Sequence, residues 1–247
     1  MTHHRADLER QLRRQSIWLM ESWQWILRSK VIGSSQKRLS ALEVGCGPGF
    51  VMDALSGLMD IKGLDIDQDM VSACVIRGLD VVQGQAERLP FDDATFDVVY
   101  CSFLMLWVDD PLKVLREMKR VSKGHVLCLA EPDFGARIDY PDELRDLEGL
   151  VVEGMTRAGG DPFIGRKLRA LFEQLGLPAE IGVHPGTWDL DQLKTESEDE
   201  WKWIEMSIAP QVEDERWRGL RSAWDRALNE RTLFQYNPIF FAIARKS

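Results

Sequence analysis

Gly45, Gly47 and Gly49 cut short an apolar run, Ala41 to Val44, and open directly onto the helix-like segment Phe50, Val51, Met52, Ala54 and Leu55. A buried strand that turns sharply into a helix through glycines exposes backbone that side chains would otherwise block. A ligand there sits beside the positive end of the helix. The turn therefore points to a nucleotide-like cofactor. A pyrophosphate-binding fingerprint asks for G-x-G-x-x-G, but here the last glycine, Gly49, comes one residue early and Phe50 holds its place. Glu43, just ahead of the turn, would repel a pyrophosphate and suits a cationic ligand. A nicotinamide-dependent oxidoreductase is disfavoured on both counts.

A second apolar strand, Ile61 to Asp65, follows about twenty residues later and ends in a carboxylate. In nucleoside sites an acidic residue at that point accepts hydrogen bonds from ribose hydroxyls. Asp65 fits this role, while Asp67 reads as the N-cap of the next helix. Two further runs come in order, Gln83-Gly-Gln-Ala-Glu-Arg-Leu-Pro-Phe91 and Ala94-Thr-Phe-Asp-Val-Val-Tyr-Cys-Ser102, followed by Asp109 to Val121 and His125 to Pro132.

From about residue 40 to 135 the chain resembles the class I S-adenosylmethionine-dependent methyltransferases, in the small-molecule branch that includes the ubiquinone and menaquinone enzymes. The resemblance implies a Rossmann-like sheet in the order 3-2-1-4-5-7-6 with strand seven antiparallel. It implies S-adenosylmethionine as cofactor, held by Glu43, Gly45, Cys46, Gly47, Gly49, Asp65, Ile66, Met70, Gln85, Ala86, Glu87, Ser102 and Phe103. One departure stands out: the family usually has Asp where this chain has Gln85. A Gln oxygen can still accept a bond from the adenine amino group, without the strengthening of a charge.

Composition narrows the partners. The 247 residues carry a net charge of −9, and no basic run extends beyond the pairs Arg13-Arg14 and Lys119-Arg120. Nucleic-acid binding needs a positive footprint, so a nucleic-acid substrate is disfavoured. No apolar stretch approaches the roughly 20 residues that span a bilayer, and the polar N-terminus does not read as a signal peptide. Cys46, Cys74, Cys101 and Cys128 are far apart and read as reduced, buried thiols of a cytoplasmic protein. Cys/His spacing gives no metal site; His3-His4 reads as a disordered tail.

The expected architecture is α/β: a doubly wound, mostly parallel, seven-stranded sheet with a helical N-terminal cap (residues 1–34) on a methyltransferase domain (35–247). Periodicity predicts a helix over 6–29, with Leu8, Leu12, Leu19, Trp23, Ile26 and Leu27 as its apolar stripe. Strands are expected near 40–44, 61–65, 80–83, 96–101, 124–130, 180–184 and 238–245. Helices are expected over 141–158 and 164–175, each closed by a glycine. A helical insertion covers about 189–235, with the acidic run Glu196 to Glu200 read as a solvated helix start.

Ligands of open α/β sheets bind beyond the carboxyl ends of the strands. That places Ser102 to Trp107 and Glu131 to Tyr140 near the chemistry. Methyl transfer quenches charge, so a dry, shaped pocket matters more than a strong acid. Asp133, Tyr140 and His184 are the candidates for a general base, with loop, packing and structural roles the weightier reading of each. Eight of the nine tryptophans fall outside the motif-bearing core, in the first helix (Trp18, Trp23, Trp25) or the late insertion (Trp188, Trp201, Trp203, Trp217, Trp224). They suggest a lid over an apolar or aromatic acceptor, with Trp18, Trp25, Trp107 and Tyr140 as the substrate-facing residues. The expected activity is methylation of such a small molecule by a monomer or homodimer. A cofactor-binding module without catalysis is the alternative.

Overall fold

The computed structural model describes residues 2–33, 37–185, 190–208 and 212–246. Five parallel strands form most of the central sheet: β1 (Leu39–Val44), β2 (Met59–Asp65), β3 (Val81–Gln83), β4 (Phe96–Ser102) and β5 (Ser122–Pro132). In chain order there follow β6 (Ile138–Tyr140), β7 (Ala179–Val183), β8 (Phe234–Tyr236) and β9 (Ile239–Arg245). The seven-stranded sheet runs β3-β2-β1-β4-β5-β9-β7, with β9 antiparallel to both neighbours. With β7 sixth and β9 seventh, this is the order and direction the resemblance implied.

Alternation along β1 explains why helices cover both faces. Leu42 and Val44 join one core with Val99, Cys101 and Met118, whereas Ala41 joins the other with Val98, Tyr100 and Leu127. Successive side chains of a strand point to opposite faces, so a run that is apolar throughout needs cover on both. On one face lie α4 (Pro111–Val121), α5 (Leu147–Arg157) and α6 (Ile164–Gln174). The other face is packed by the end of the first helix. Helix α1 (Thr2–Ile26) passes into a wider π-helical turn, Leu27–Ile32, and Trp23, Ile26 and Leu27 are fully buried against the sheet. The N-terminal segment is thus fixed to the core; the expected cap boundary at 34/35 lies outside the described residues.

Capping follows the sequence. Asp67 accepts the amide of Asp69 at the start of α3 (Gln68–Ile76), and Asp110 does the same for Lys113 ahead of Pro111. Gly159 and Gly176, with φ of +88° and +61°, close α5 and α6.

The late segment differs from expectation in two ways. Residues 190–208 and 214–229 do form helices, α7 (Leu190–Ile208) and α8 (Asp214–Asn229), but β8 then pairs with β6 as a separate two-stranded sheet. Three-residue strands leave too little alternation to read from sequence. The acidic run is also not a helix start, and only part of it is solvated, Glu198 being exposed. It lies in the middle of α7, where Glu200 is buried and Glu196 half-buried, and both pair with Arg14 of α1. An Arg about one hundred and eighty residues away in sequence neutralises them, which no local pattern reveals. Trp201 packs on Trp217 and Trp224, with ring centroids 4.7 and 5.5 Å away, and these rings continue the core on that face of the sheet. Trp188 lies outside the described residues.

Candidate active site

The glycine turn links β1 to α2 (Phe50–Leu55) at the carboxyl edge of the sheet. Gly47 and Gly49 have φ of +50° and +81°, a region where side chains are strained. A Cβ on Gly49 would collide with Leu79, whereas one on Gly47 would meet nothing nearer than Leu12 Cδ1 at 4.0 Å and would project into open space. Asp65, at the end of β2, fixes the turn: its Oδ2 accepts the Gly47 amide at 2.7 Å and its Oδ1 the Asp67 amide at 2.9 Å.

These residues line a cavity of about 820 Å³, within the size range of small-molecule sites. Of the residues expected to hold a cofactor, Glu43, Gly45, Cys46, Gly47, Asp65, Ser102 and Phe103 are in its wall. Gly49 supports the turn from behind. Ile66 and Gln85 are exposed, and neither they nor Met70, Ala86 and Glu87 form part of the wall. Two buried polar atoms in the wall have no hydrogen-bond partner, Ser102 Oγ and Trp23 Nε1. Buried polar groups are normally satisfied, so both atoms retain hydrogen-bonding capacity.

Glu43 is fully buried and accepts a bond of 3.2 Å from Tyr100 Oη. Burial pushes its carboxyl well above the usual range, against the lowering effect of the Tyr100 bond. Glu131, at the end of β5, is also buried. It accepts the amides of Leu104 (3.2 Å) and Met105 (3.1 Å), and burial pushes it up to about 8. Cys101 Sγ lies 3.7 Å from both Cys128 Sγ and Glu131 Oε1. This buried group fixes the loop after β4, where Phe103 has a φ of +54°. The four cysteines are free and buried, as read from the sequence.

A second cavity, of about 560 Å³, shares Gln11, Gln15, Phe103 and Trp203 with the first. It lies between α1, α7 and the β8–β9 segment. Trp18 is in its wall, and Trp107 is in the wall of the first. The other two proposed substrate contacts are corrected. Trp25 is 59% exposed on the side of α1 opposite Trp23, and Tyr140 is 53% exposed on β6; neither lines either of these two cavities. Asp133 is bound at both oxygens by Arg166, at 2.5 and 2.7 Å, and is outside both walls, so it is committed to an ion pair. His184 does line the second cavity. Its Nε2 faces Leu129 O at 2.6 Å and its Nδ1 faces Ser22 Oγ at 2.7 Å. A carbonyl can only accept, so Nε2 carries the proton, and burial lowers the pKa so that the ring stays neutral. Nδ1 then accepts from Ser22, and neither nitrogen is left for catalysis.

Sequence reasoning missed Gln11 and Gln15 as wall residues. With Arg14 they stand at i, i+3 and i+4 on α1, one face of a helix, and that polar stripe beside the apolar one was the available signal.

Residues 42–129 match the family described as a methyltransferase domain. The demethylmenaquinone methyltransferase of Bacillus pumilus is 31% identical over 189 residues, covering 66% of this chain and 80% of that protein. The Bacillus subtilis enzyme of the same name is 36% identical over 132 residues, 47% of this chain and 57% of its own length. Among solved structures, a provisionally assigned methyltransferase from an antibiotic biosynthesis pathway of Anabaena variabilis superposes with a TM-score of 0.65 at 16% identity, covering 91% of this chain and 96% of that one. One from Bacillus halodurans gives 0.61 at 17% identity, over 92% and 98%; both likenesses concern the fold. The strand order, the glycine turn closed by Asp65 and the identity to the Bacillus pumilus enzyme agree: the chain belongs to the class I S-adenosylmethionine-dependent methyltransferases.

Proposed function

We propose that the chain methylates a small molecule held in the second cavity, using S-adenosylmethionine held in the first. The observation that carries this reading is the shared wall: Gln11, Gln15, Phe103 and Trp203 border both cavities, so two ligands can meet without leaving cover. When bound, the cofactor supplies a methyl group on positive sulfur. The fit rests on the open space at Gly47, the Glu43 carboxyl in the wall, and the unpartnered Ser102 Oγ and Trp23 Nε1.

The roles of the chain's own residues follow. Gly45 to Gly47 present backbone; Asp65, with its amide bonds holding the turn, has lone pairs left for ribose hydroxyls. Glu43, once ionised, complements positive charge. Phe103, Trp107 and Trp203 exclude water, which raises the attraction between fixed charges and a cationic ligand. Of the second cavity's wall side chains that could act as a base, His184, Glu196 and Glu200 are already engaged and Glu21 is exposed to solvent, so orientation and desolvation do the catalytic work. Quinone-ring methylation is named for the Bacillus relatives, and aromatic rings in this wall support a flat acceptor here too. A nicotinamide cofactor is disfavoured by Phe50 and Glu43. No helix among the described residues is long and apolar enough to cross a membrane.

The test is transfer of labelled methyl from S-adenosylmethionine into a whole-cell extract, followed by size fractionation. Label in the small-molecule fraction is the expected result. Label confined to protein or nucleic acid would overturn the small-molecule assignment.

A further inference from the structure

The second cavity has an unbalanced wall. Arg14 is the only guanidinium or ammonium among its described residues, against Glu21, Glu196 and Glu200. That single cation is fully committed. Its Nε donates to Glu196 at 2.7 Å, its Nη1 to Gln11 Oε1 at 2.8 Å and its Nη2 to Glu200 at 3.4 Å, and the guanidinium stacks over Trp18 at 4.6 Å. Among the described wall residues no other cation is present, His184 being neutral with both nitrogens engaged; behind the wall, Arg137 pairs with Asp139 and lies 3.9 Å from Glu200. Among the fully buried polar atoms of this wall, those without a partner are oxygens. Gln15 Oε1 and Asn237 Oδ1 are buried acceptors without a partner, both on residues of this wall. Aromatic surface completes it: Trp203 stacks on Phe134 with centroids 5.5 Å apart, and Phe103 borders both cavities.

We infer that the acceptor site takes an amine-bearing small molecule, cationic at neutral pH and carrying an aromatic or apolar body, and that it rejects acceptors with a carboxylate or phosphate. The inference rests on the reading of the second cavity as the acceptor site. An ammonium donates to the unpartnered oxygens and offsets the net negative wall, and ring faces attract cations as well as flat bodies. A carboxylate would meet unpaired acceptors and like charge, which costs affinity on both counts. A neutral alcohol keeps one donor but loses the charge.

Three near-isosteric probes test this: 2-phenylethylamine, 2-phenylethanol and phenylacetate, titrated into the full chain with and without S-adenosylhomocysteine, with tryptophan fluorescence as readout. The amine should bind at least about tenfold more tightly than the alcohol, and the acid most weakly. Equal affinities, tighter binding of the acid, or no binding of the amine would overturn the inference. Two substitutions localise the effect. Asn237→Leu should weaken the amine about fivefold, and the isosteric Asn237→Asp should tighten it while further weakening the acid. An unchanged amine affinity in both, with the fold intact by circular dichroism, would also contradict the proposal. Binding of S-adenosylhomocysteine, measured before any probe is added, reports separately on the cofactor reading. If that binding fails, the order of the three probes still decides the charge preference of the cavity.

Discussion

Asp65 Oδ2 accepts the backbone amide of Gly47 at 2.7 Å, joining the end of β2 to a turn eighteen residues earlier in the chain. One carboxylate thus holds the glycine turn open and stands in the cavity wall. Asp65→Ala removes that bond and the one to the Asp67 amide. Bonds to a charged group contribute about 1.5–3 kcal/mol each, so S-adenosylhomocysteine affinity should fall by roughly tenfold or more. Calorimetry on folded protein checks this, and unchanged affinity would remove Asp65 from the site.

Glu43 makes cofactor binding sensitive to pH. Burial raises its carboxyl well above the usual range, so the empty site favours the neutral acid, whereas a cationic ligand favours the carboxylate. S-adenosylmethionine should therefore bind more tightly as pH rises through the Glu43 titration, with protons released on binding. Glu43→Gln should abolish the proton release, which calorimetry in buffers of different ionisation enthalpy measures directly.

Glu131 ties stability to pH in the opposite direction from a salt-bridged acid. Its carboxyl rises from 4.5 to about 8 in the folded chain. The folded state then binds more protons than the unfolded state between those values, so stability is greatest at and below the lower value and declines as pH rises toward the upper one. Glu131→Gln keeps an acceptor for the Leu104 and Met105 amides. Denaturant midpoints should show a shallower decline between about pH 5 and about pH 8 in the variant than in the parent.

Arg14 links α1 to α7 through Glu196 and Glu200. Arg14→Met removes one cation from buried Glu200, which keeps Gln235 Nε2 at 2.6 Å and Arg137 Nη1 at 3.9 Å. Breaking a buried pair from one side costs about 3–5 kcal/mol; because Glu196 keeps partial contact with solvent, the expected loss lies near the lower figure. Urea unfolding with unchanged m-value is the measurement.

The sequence carried the parts of this protein that depend on local order. The turn through Gly45, Gly47 and Gly49, the terminal Asp65 of β2 and the caps at Asp67 and Asp110 all act within a few residues of where they stand, so spacing revealed them. Strands alternating with helices along the chain likewise implied a doubly wound sheet. What stayed hidden depends on distant partners. Glu196 and Glu200 look like solvated charge until Arg14 is placed beside them, and Asp133 looks like a free carboxylate until Arg166 closes on both oxygens. Trp18 and Trp25 are two turns apart on the same side of α1, so periodicity cannot separate them, yet Trp18 lies in the second cavity's wall and Trp25 is exposed. The short strands β6 and β8 have no pattern of their own and exist through each other.

The most direct test of the central claim is calorimetric titration of S-adenosylhomocysteine into the parent chain and into Gly47→Leu. A Cβ at position 47 would meet no protein nearer than Leu12 Cδ1 at 4.0 Å, so a larger side chain there competes with the ligand for space, and the φ of +50° adds strain within the turn itself. The account predicts one site per chain in the parent and a loss of about a hundredfold or more in the variant, with circular dichroism unchanged. Equal affinity in the two proteins, or no binding to the parent, would contradict the placement of the cofactor at the glycine turn.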